Sequence, residues 1–225
     1  MSAACFAITG TDTGVGKTFV ACGLARELRR RGFDVGVSKP FCCGSREDAQ
    51  LLIAASACGD TLATVNPCYF AAPLAPYRAA QMAGVSVDLA ACFAALDEVR
   101  QRHALTLIEG AGGLLVPLCE TDAGVYSMCD FFADAAAEVV IVARRGLGTI
   151  NHTWLSVAAA RAAGLTVAGI VFCDAQPQEP GEPGASNPEV TAHCTGARVL
   201  GVIPHCPPES VWRAVADGLF TSADE

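Results

Sequence analysis

Lysine is nearly missing from this chain. Among 225 residues there are thirteen arginines and two lysines, Lys17 and Lys39. A protein that meets its ordinary need for cations with guanidinium keeps a lysine where a compact, flexible ammonium does what a planar fork cannot. Positive charge is scarce as a whole: the formal net charge is -8. That argues against nucleic acid or an anionic membrane surface as the main partner, because both are held by a basic face. Any anion bound here must be held by local groups. Long apolar runs are also missing. The opening MSAACFAITG has neither the basic start nor the apolar stretch of a secretory leader, and no run nears the roughly 18 apolar residues of a membrane span, so a cytoplasmic protein is expected. Metal-type spacing is absent too. Twelve cysteines are scattered from Cys5 to Cys206 without a Cys-x-x-Cys pair, and His103, His152, His193 and His205 follow no ligand pattern. The thiols are expected to be reduced and to act as small hydrophobes, the histidines to be surface or supporting groups.

What is present is a core. With 52% hydrophobic and 17% charged residues, residues 1–225 are expected to form one domain. Short apolar runs at 4–9, 35–38, 105–108, 138–143, 166–172 and 199–203 read as strands. Longer Ala/Leu-rich stretches at 18–31, 48–58, 87–102, 126–137, 152–163, 188–193 and 209–220 read as helices. Strands apolar throughout and joined by helices predict an α/β fold, a doubly wound, mostly parallel sheet with helices on both faces. The first helix carries Val20, Leu24 and Leu28 on one stripe, and Arg29, Arg30 and Arg31 are expected to be its solvated, dipole-favoured end. The Pro/Gly-rich segment 176–188 is expected to be a mobile loop.

The first strand runs into GTDTGVGKT, residues 10–18. Glycines there let backbone N–H groups converge on a polyphosphate, a lysine reaches the β/γ oxygens, and a hydroxyl at a helix N-terminus is placed for magnesium. Gly14, Val15, Gly16, Lys17 and Thr18 are therefore the candidate nucleotide cradle of a P-loop NTPase. Thr11 stands where the usual spacing has its first glycine, with Gly10 one residue earlier, so the loop is one residue longer than the generic pattern. In the ParA/MinD-type ATPases a second lysine stands two residues before the position of Gly14; here that place is Asp12, which weighs against a switch ATPase acting through protein partners.

Three further residues point to the same crevice, since the carboxyl ends of strands face the ligand in an open α/β sheet. Lys39 closes the second strand ahead of Pro40. Asp48, preceded by Glu47, opens the next helix and is a candidate metal ligand or only a favourable helix-start acid. Glu109 ends an apolar strand ahead of Gly110, Gly112 and Gly113. A buried unpaired carboxylate is costly, and a metal ion removes that cost.

Taken together, GTDTGVGKT, SKP, Asn66-Pro67, EGAGG and RGLGTINHT at residues 145–153 resemble, in order and rough spacing over nearly the whole chain, the dethiobiotin synthetases. The resemblance implies synthesis of dethiobiotin from 7,8-diaminononanoate, CO2 and ATP with Mg2+, through a carbamate, a carbamic-phosphoric anhydride and closure of a cyclic urea. It implies that Lys17, Lys39 and Thr13 act on the carbamate and γ-phosphate, and that Thr18, Asp48 and Glu109 hold magnesium. Thr13, Lys39, Cys43, Gly112, Thr149, Ile150 and Asn151 would contact the substrate, the last three through a helix N-terminus at the interface of a homodimer. Cys173, Asp174 and Pro204 would lie at the nucleotide. Asn151, taken alone, reads as the N-cap of the helix at 152. Cys43 stands where many members have a small hydroxyl residue, Gly14 where some have Glu, and Cys173 where some have an adenine-contacting Asn. The last substitution leads to an expectation of relaxed base selectivity.

Overall fold

A computed structural model describes residues 4–175 and 182–220. In chain order the elements are β1 (Ala4–Gly10), α1 (Lys17–Arg30), β2 (Val35–Ser38), β3 (Phe41–Cys43), α2 (Glu47–Ser56), α3 (Leu62–Val65) and β4 (Cys68–Phe70). They continue with α4 (Pro76–Ala83), α5 (Leu89–Arg102), β5 (Leu105–Gly113), β6 (Pro117–Thr121), β7 (Gly124–Ser127) and α6 (Met128–Asp134). The last are β8 (Glu138–Ala143), α7 (Thr149–Ala162), β9 (Val167–Cys173), α8 (Glu182–Thr195), β10 (Val199–Ile203) and α9 (Glu209–Phe220). Six strands form a parallel sheet in the order β10-β9-β8-β1-β5-β2. The chain begins at β1, passes to the edge strand β2, returns to lay β5 between them, and then builds outward on the other side with β8, β9 and β10. The switch lies beside β1, and its carboxyl end is the crevice where such sheets bind ligands. No described helix is long and apolar enough to cross a membrane.

The strands are apolar on both faces because helices cover both. Phe6, Ile8, Leu105, Leu107, Val140 and Val142 join the core under α1, α2 and α9, while Ala7, Ile108, Val139, Ile141 and Ala143 join the core under α5, α6 and α7. This period of two fixes where Glu109 points. As an odd-numbered residue of β5 it shares a face with Leu105 and Leu107, the face that α1 covers, so a carboxylate at the strand's end must meet the start of α1.

Several sequence expectations give way here. The six sheet strands appear close to where they were expected, except that β5 does not stop at residue 108 but runs on through Glu109 to Gly113, and two small sheets carry no signal in the sequence: parallel β3 and β4, and the antiparallel hairpin of β6 and β7. Each strand is three to five residues long, too short for a periodic pattern to stand out. The helix expected over 126–137 begins at Met128, because Tyr126 and Ser127 end β7 and Ser127 caps α6 in a capping box with Asp130. The helix expected at 152 begins at Thr149, with Gly148 at φ 90 as its N-cap, so Asn151 lies inside the first turn and caps nothing. The expected loop is helical from Glu182, which places Pro188 inside α8; residues 176–181 lie outside the described part. Pro188 has no N–H for the carbonyl four residues back, that of Gly184. Arg145 Nη1 donates to this carbonyl at 3.2 Å, and Asn187 Nδ2 holds the Arg145 carbonyl at 2.7 Å. Tertiary contacts thus offset what the proline removes.

The arginine run is not merely solvated. Arg30 donates twice to Glu27, both at 2.8 Å, and Arg31 donates to Glu27, to Asp217 and to the Arg213 carbonyl, tying α1 to α9. Arg30's hydrogen bonds, joined by those of Arg31, hold the Glu27 carboxyl down to about 2 against the opposing effect of burial. A carboxyl lowered from 4.5 in this way stabilises the fold above its unfolded pKa, and the contribution is lost as pH falls through the folded one. Glu27→Gln is therefore expected to lower Tm at neutral pH, with the gap to wild type narrowing steadily from about pH 4.5 towards 2. Thermal unfolding of both proteins across that range checks it, and a constant gap would remove the charge from the account.

Candidate active site

The loop between β1 and α1 wraps the start of α1 without blocking it. Gly16 is the N-cap of α1 at φ 97 and supplies no side-chain oxygen, so the first-turn N–H groups remain available to an anion. Gly16 is also needed for space: a Cβ there would lie 2.6 Å from Cys173 Sγ. Lys17 is 7% exposed, and its ammonium donates to the Asp12 carbonyl at 2.9 Å. Burial, with the charge of Lys39 beside it, pushes Lys17 down to about 8, against the pull of Glu109, Asp48 and Asp12.

Lys39 is 4% exposed and Glu109 1%. Lys39 Nζ donates to Glu109 Oε1 at 2.5 Å and to the Gly110 carbonyl at 3.0 Å, and lies 3.4 Å from Asp48 Oδ2. Burial alone would push this ammonium down, but Glu109 and Asp48 together raise it above the ordinary lysine value, so it stays charged. Thr18 Oγ1 donates to the same Glu109 oxygen at 2.8 Å. The second oxygen, Oε2, is buried with no hydrogen-bond partner. An orphaned carboxylate oxygen beside a loop hydroxyl and a second, half-exposed carboxylate is an all-oxygen donor set of the kind Mg2+ takes, and Thr18, Asp48 and Glu109 fit that ion.

Lys39 is held by a residue to which sequence reasoning gave no role. Asn66 is fully buried, and its Nδ2 donates to the carbonyls of Lys39 at 2.8 Å and Cys68 at 3.1 Å, while Lys39 N–H donates to the Val65 carbonyl at 2.8 Å. The Asn66-Pro67 pair was visible in the sequence; its target 27 residues earlier was not.

These groups open into a cleft of about 840 Å³ lined by Thr13, Gly14, Gly16, Lys17, Thr18, Lys39, Cys43, Asp48, Glu109 and Gly112, among others. The structure thus brings together most of the expected site. Glu47 is not among the lining residues, whereas Asp48 is. Cys173 is 1% exposed beneath the loop, and the Asp174 carboxylate is taken by Arg145 Nε at 3.0 Å and by Arg145 Nη2. Pro204 follows β10, half-buried, at the carboxyl end of the sheet. Thr149, Ile150 and Asn151 do not line the cleft. Thr149 turns inward to Thr153 at 3.4 Å. The next turn of α7 borders a separate hollow of about 440 Å³ with Thr11, Asp12, Leu115, His152 and Leu155.

A family model described as an AAA domain matches residues 5–210. The ATP-dependent dethiobiotin synthetase BioD of Bacillus licheniformis is 42% identical, with 88% of this chain and 85% of the relative covered. The protein of the same name from Anaeromyxobacter dehalogenans is 41% identical, with 96% of each chain covered. The chain belongs to the dethiobiotin synthetase family. Among solved structures, the cell division ATPase MinD of Pyrococcus furiosus superposes with a TM-score of 0.58 at 19% identity, covering 97% of this chain and 98% of that one. The signal recognition particle 54 kDa protein of Aeropyrum pernix, in complex with GDP, gives 0.57 at 17% identity, covering 98% of this chain and 47% of that one. At such identities the two share the fold, a P-loop NTPase sheet.

Within the dethiobiotin synthetase family, the Asn66 clamp predicts a measurable cost. Asn66→Ala strands the buried carbonyl of Lys39 and frees the part-buried one of Cys68, a loss of about 1–3 kcal/mol. A lowered denaturation midpoint is expected, read by chemical unfolding, and an unchanged midpoint would mean that other groups take up these carbonyls.

Proposed function

We propose that the chain is an ATP-dependent dethiobiotin synthetase that closes 7,8-diaminononanoate and CO2 into a cyclic urea in biotin biosynthesis. The observation that carries the reading is the buried contact of Lys39 with Glu109 in the phosphate-loop cleft, on a chain about 40% identical to dethiobiotin synthetases over most of its length. A phosphate loop alone serves many reactions; a second buried ammonium facing it serves a substrate that is itself an anion.

The roles follow from position. The free first-turn amides of α1 bind the polyphosphate, and Lys17 exchanges the Asp12 carbonyl for the β/γ oxygens. Lys39, poised at the cleft wall, receives the carbamate formed from a substrate amine and CO2. One carbamate oxygen then attacks the γ-phosphorus while the bond to ADP breaks. Two ammonium groups offset the charge on the transferring phosphoryl group and on the resulting anhydride. The second amine attacks the carbamoyl carbon and phosphate leaves, which closes the ring. Thr13 and Cys43 line the substrate side, and Gly112 lets the backbone approach. Thr18, Asp48 and Glu109 would hold Mg2+, which when bound neutralises charge between the phosphate oxygens.

The substrate tail carries a carboxylate that nothing cationic in the cleft lining answers beyond the two lysines. The N-terminus of α7, with Gly148 again providing no capping oxygen, suits that anion. Thr149, Ile150 and Asn151 act from across a homodimer interface in this reading. Exposed Leu115, Leu147 and Leu155, 62–87% accessible, support an apolar contact there.

Phosphate release from Mg-ATP and bicarbonate is expected to depend on the diamine and to yield a product heavier by one carbonyl bridging both nitrogens. Diamine-independent hydrolysis would favour a switch ATPase instead. Lys39→Arg is expected to keep nucleotide affinity within a few-fold while turnover falls by on the order of a hundredfold or more; near-normal turnover would take Lys39 out of the chemistry. With Cys173 turned under the loop and Asp174 engaged by Arg145, neither side chain is free to select adenine. Rates with ATP, CTP and GTP are expected to lie within about a hundredfold, roughly 2.7 kcal/mol, and a larger preference for ATP would show that other groups read the base.

A further inference from the structure

One buried cluster lies outside everything this reaction uses. Cys58, Asp60 and His103 each bring a ligand atom within 4.8 Å of the other two. The cluster sits at the amino edge of the sheet, opposite the catalytic crevice, since Asp34 immediately precedes β2 and His103 stands two residues before β5. We propose that Cys58, Asp60 and His103 form a Zn2+ site, with water as the fourth ligand on the half-exposed side of Cys58. The proposal is independent of the catalytic reading.

Local geometry converges the donors. Gly59 at φ 79 makes a tight turn between Cys58 and Asp60, so both side chains face His103. The ring of His103 is fixed by packing: a Cβ on Gly36 would lie 2.7 Å from its Cδ2. Its Nδ1 is 2.8 Å from Asp34 Oδ1 and its Nε2 is 3.0 Å from Asp60 Oδ2. A neutral imidazole has one N–H and cannot donate to carboxylates on both sides. The second contact therefore needs either one more proton shared among these groups or a cation beside Nε2 and Asp60. With the cation, Nδ1–H donates to Asp34 in the outer carboxylate arrangement that metal-bound histidines adopt.

Charge also closes. Zn2+ and Arg102, whose Nη1 lies 2.7 Å from Asp60 Oδ1, bring three positive charges against the Cys58 thiolate, Asp60 and Asp34. Arg102 faces Oδ1 as an ion-pair partner without hydrogen-bonding it, and Oδ2 is the oxygen turned to His103 and the metal. A thiolate, an imidazole and one carboxylate select Zn2+ over Mg2+ or Ca2+. Bonds of about 2.0–2.3 Å place tetrahedral ligands about 3.4–3.8 Å apart, so the 3.0 Å contact of His103 with Asp60 opens slightly and the Cys58 sulfur, within 4.8 Å of both, moves in by about 1 Å at most. Binding releases the thiol proton and, where the ring carries two, one imidazole proton. The site would tie the α2–α3 connection to the end of α5 and the start of β2.

The test uses the full chain after chelator treatment, titrated with Co2+ alone. One equivalent is expected to give tetrahedral d–d bands and a thiolate-to-metal absorption that Zn2+ displaces, that saturating Mg-ADP leaves unchanged, and that Cys58→Ser abolishes. In the unaltered protein, Zn2+ is expected to protect Cys58, and not the exposed Cys206, from alkylation read by peptide mass spectrometry, and to raise Tm by several degrees. Absence of the thiolate band, its persistence in Cys58→Ser, or unprotected Cys58 at saturating Zn2+ would overturn the proposal and leave the cluster held by hydrogen bonds alone.

Discussion

Lys39 and Glu109 meet out of water at the carboxyl ends of β2 and β5, and the rest of the site is arranged around that contact. A buried ion pair contributes little stability by itself, because desolvating two charges offsets their attraction. Here the pair is also incomplete: Glu109 has one oxygen without a partner, and Lys17, buried nearby, adds a second positive charge. Such a set is tolerated because the sheet, the Asn66 clamp and the start of α1 leave these groups no other position. Preorganisation of this kind means that charge developing on a bound phosphoryl group meets cations already in place.

The sheet supplies the convergence. β5 lies between β1 and β2, so the three segments that build the candidate site lie side by side: the phosphate loop after β1, Glu109 on β5 and Lys39 after β2. Parallel strands place all of these at one edge, and the alternation of side chains turns Glu109 towards α1. The opposite edge gathers a different population, Asp34, Cys58, Asp60, Arg102 and His103, whose charges pair among themselves. Catalytic and structural polarity are thus kept at opposite ends of the same six strands.

Two cysteines shape the site's walls. Cys43 lines the cleft, and Cys173 fits under Gly16, where its sulfur fills space that a Cβ could not share. Asp174 engages Arg145, which in turn supplies the hydrogen bond that Pro188 withholds from Gly184. The end of β9 and α8 are therefore linked through one guanidinium.

Local signals in the sequence were enough for the six core strands, most of their helices, the phosphate loop and the value of a rare lysine. Each depends on neighbours in the chain: periodicity of apolar residues, glycines beside a helix start, or an unusual residue in a biased composition. The β3–β4 pair, the hairpin of β6 and β7 and the helix continuing through Pro188 were hidden, because their stability comes from partners far along the chain. The same distinction holds within the site. Sequence determined that Lys39, Asp48 and Glu109 were exceptional; only the tertiary structure decided that Asn66 holds Lys39, that Arg145 engages Asp174, and that His103 stands among Cys58, Asp60 and Asp34. Hydrogen bonds and ion pairs form between residues brought together by the folded sheet, and spacing along a chain carries no record of them.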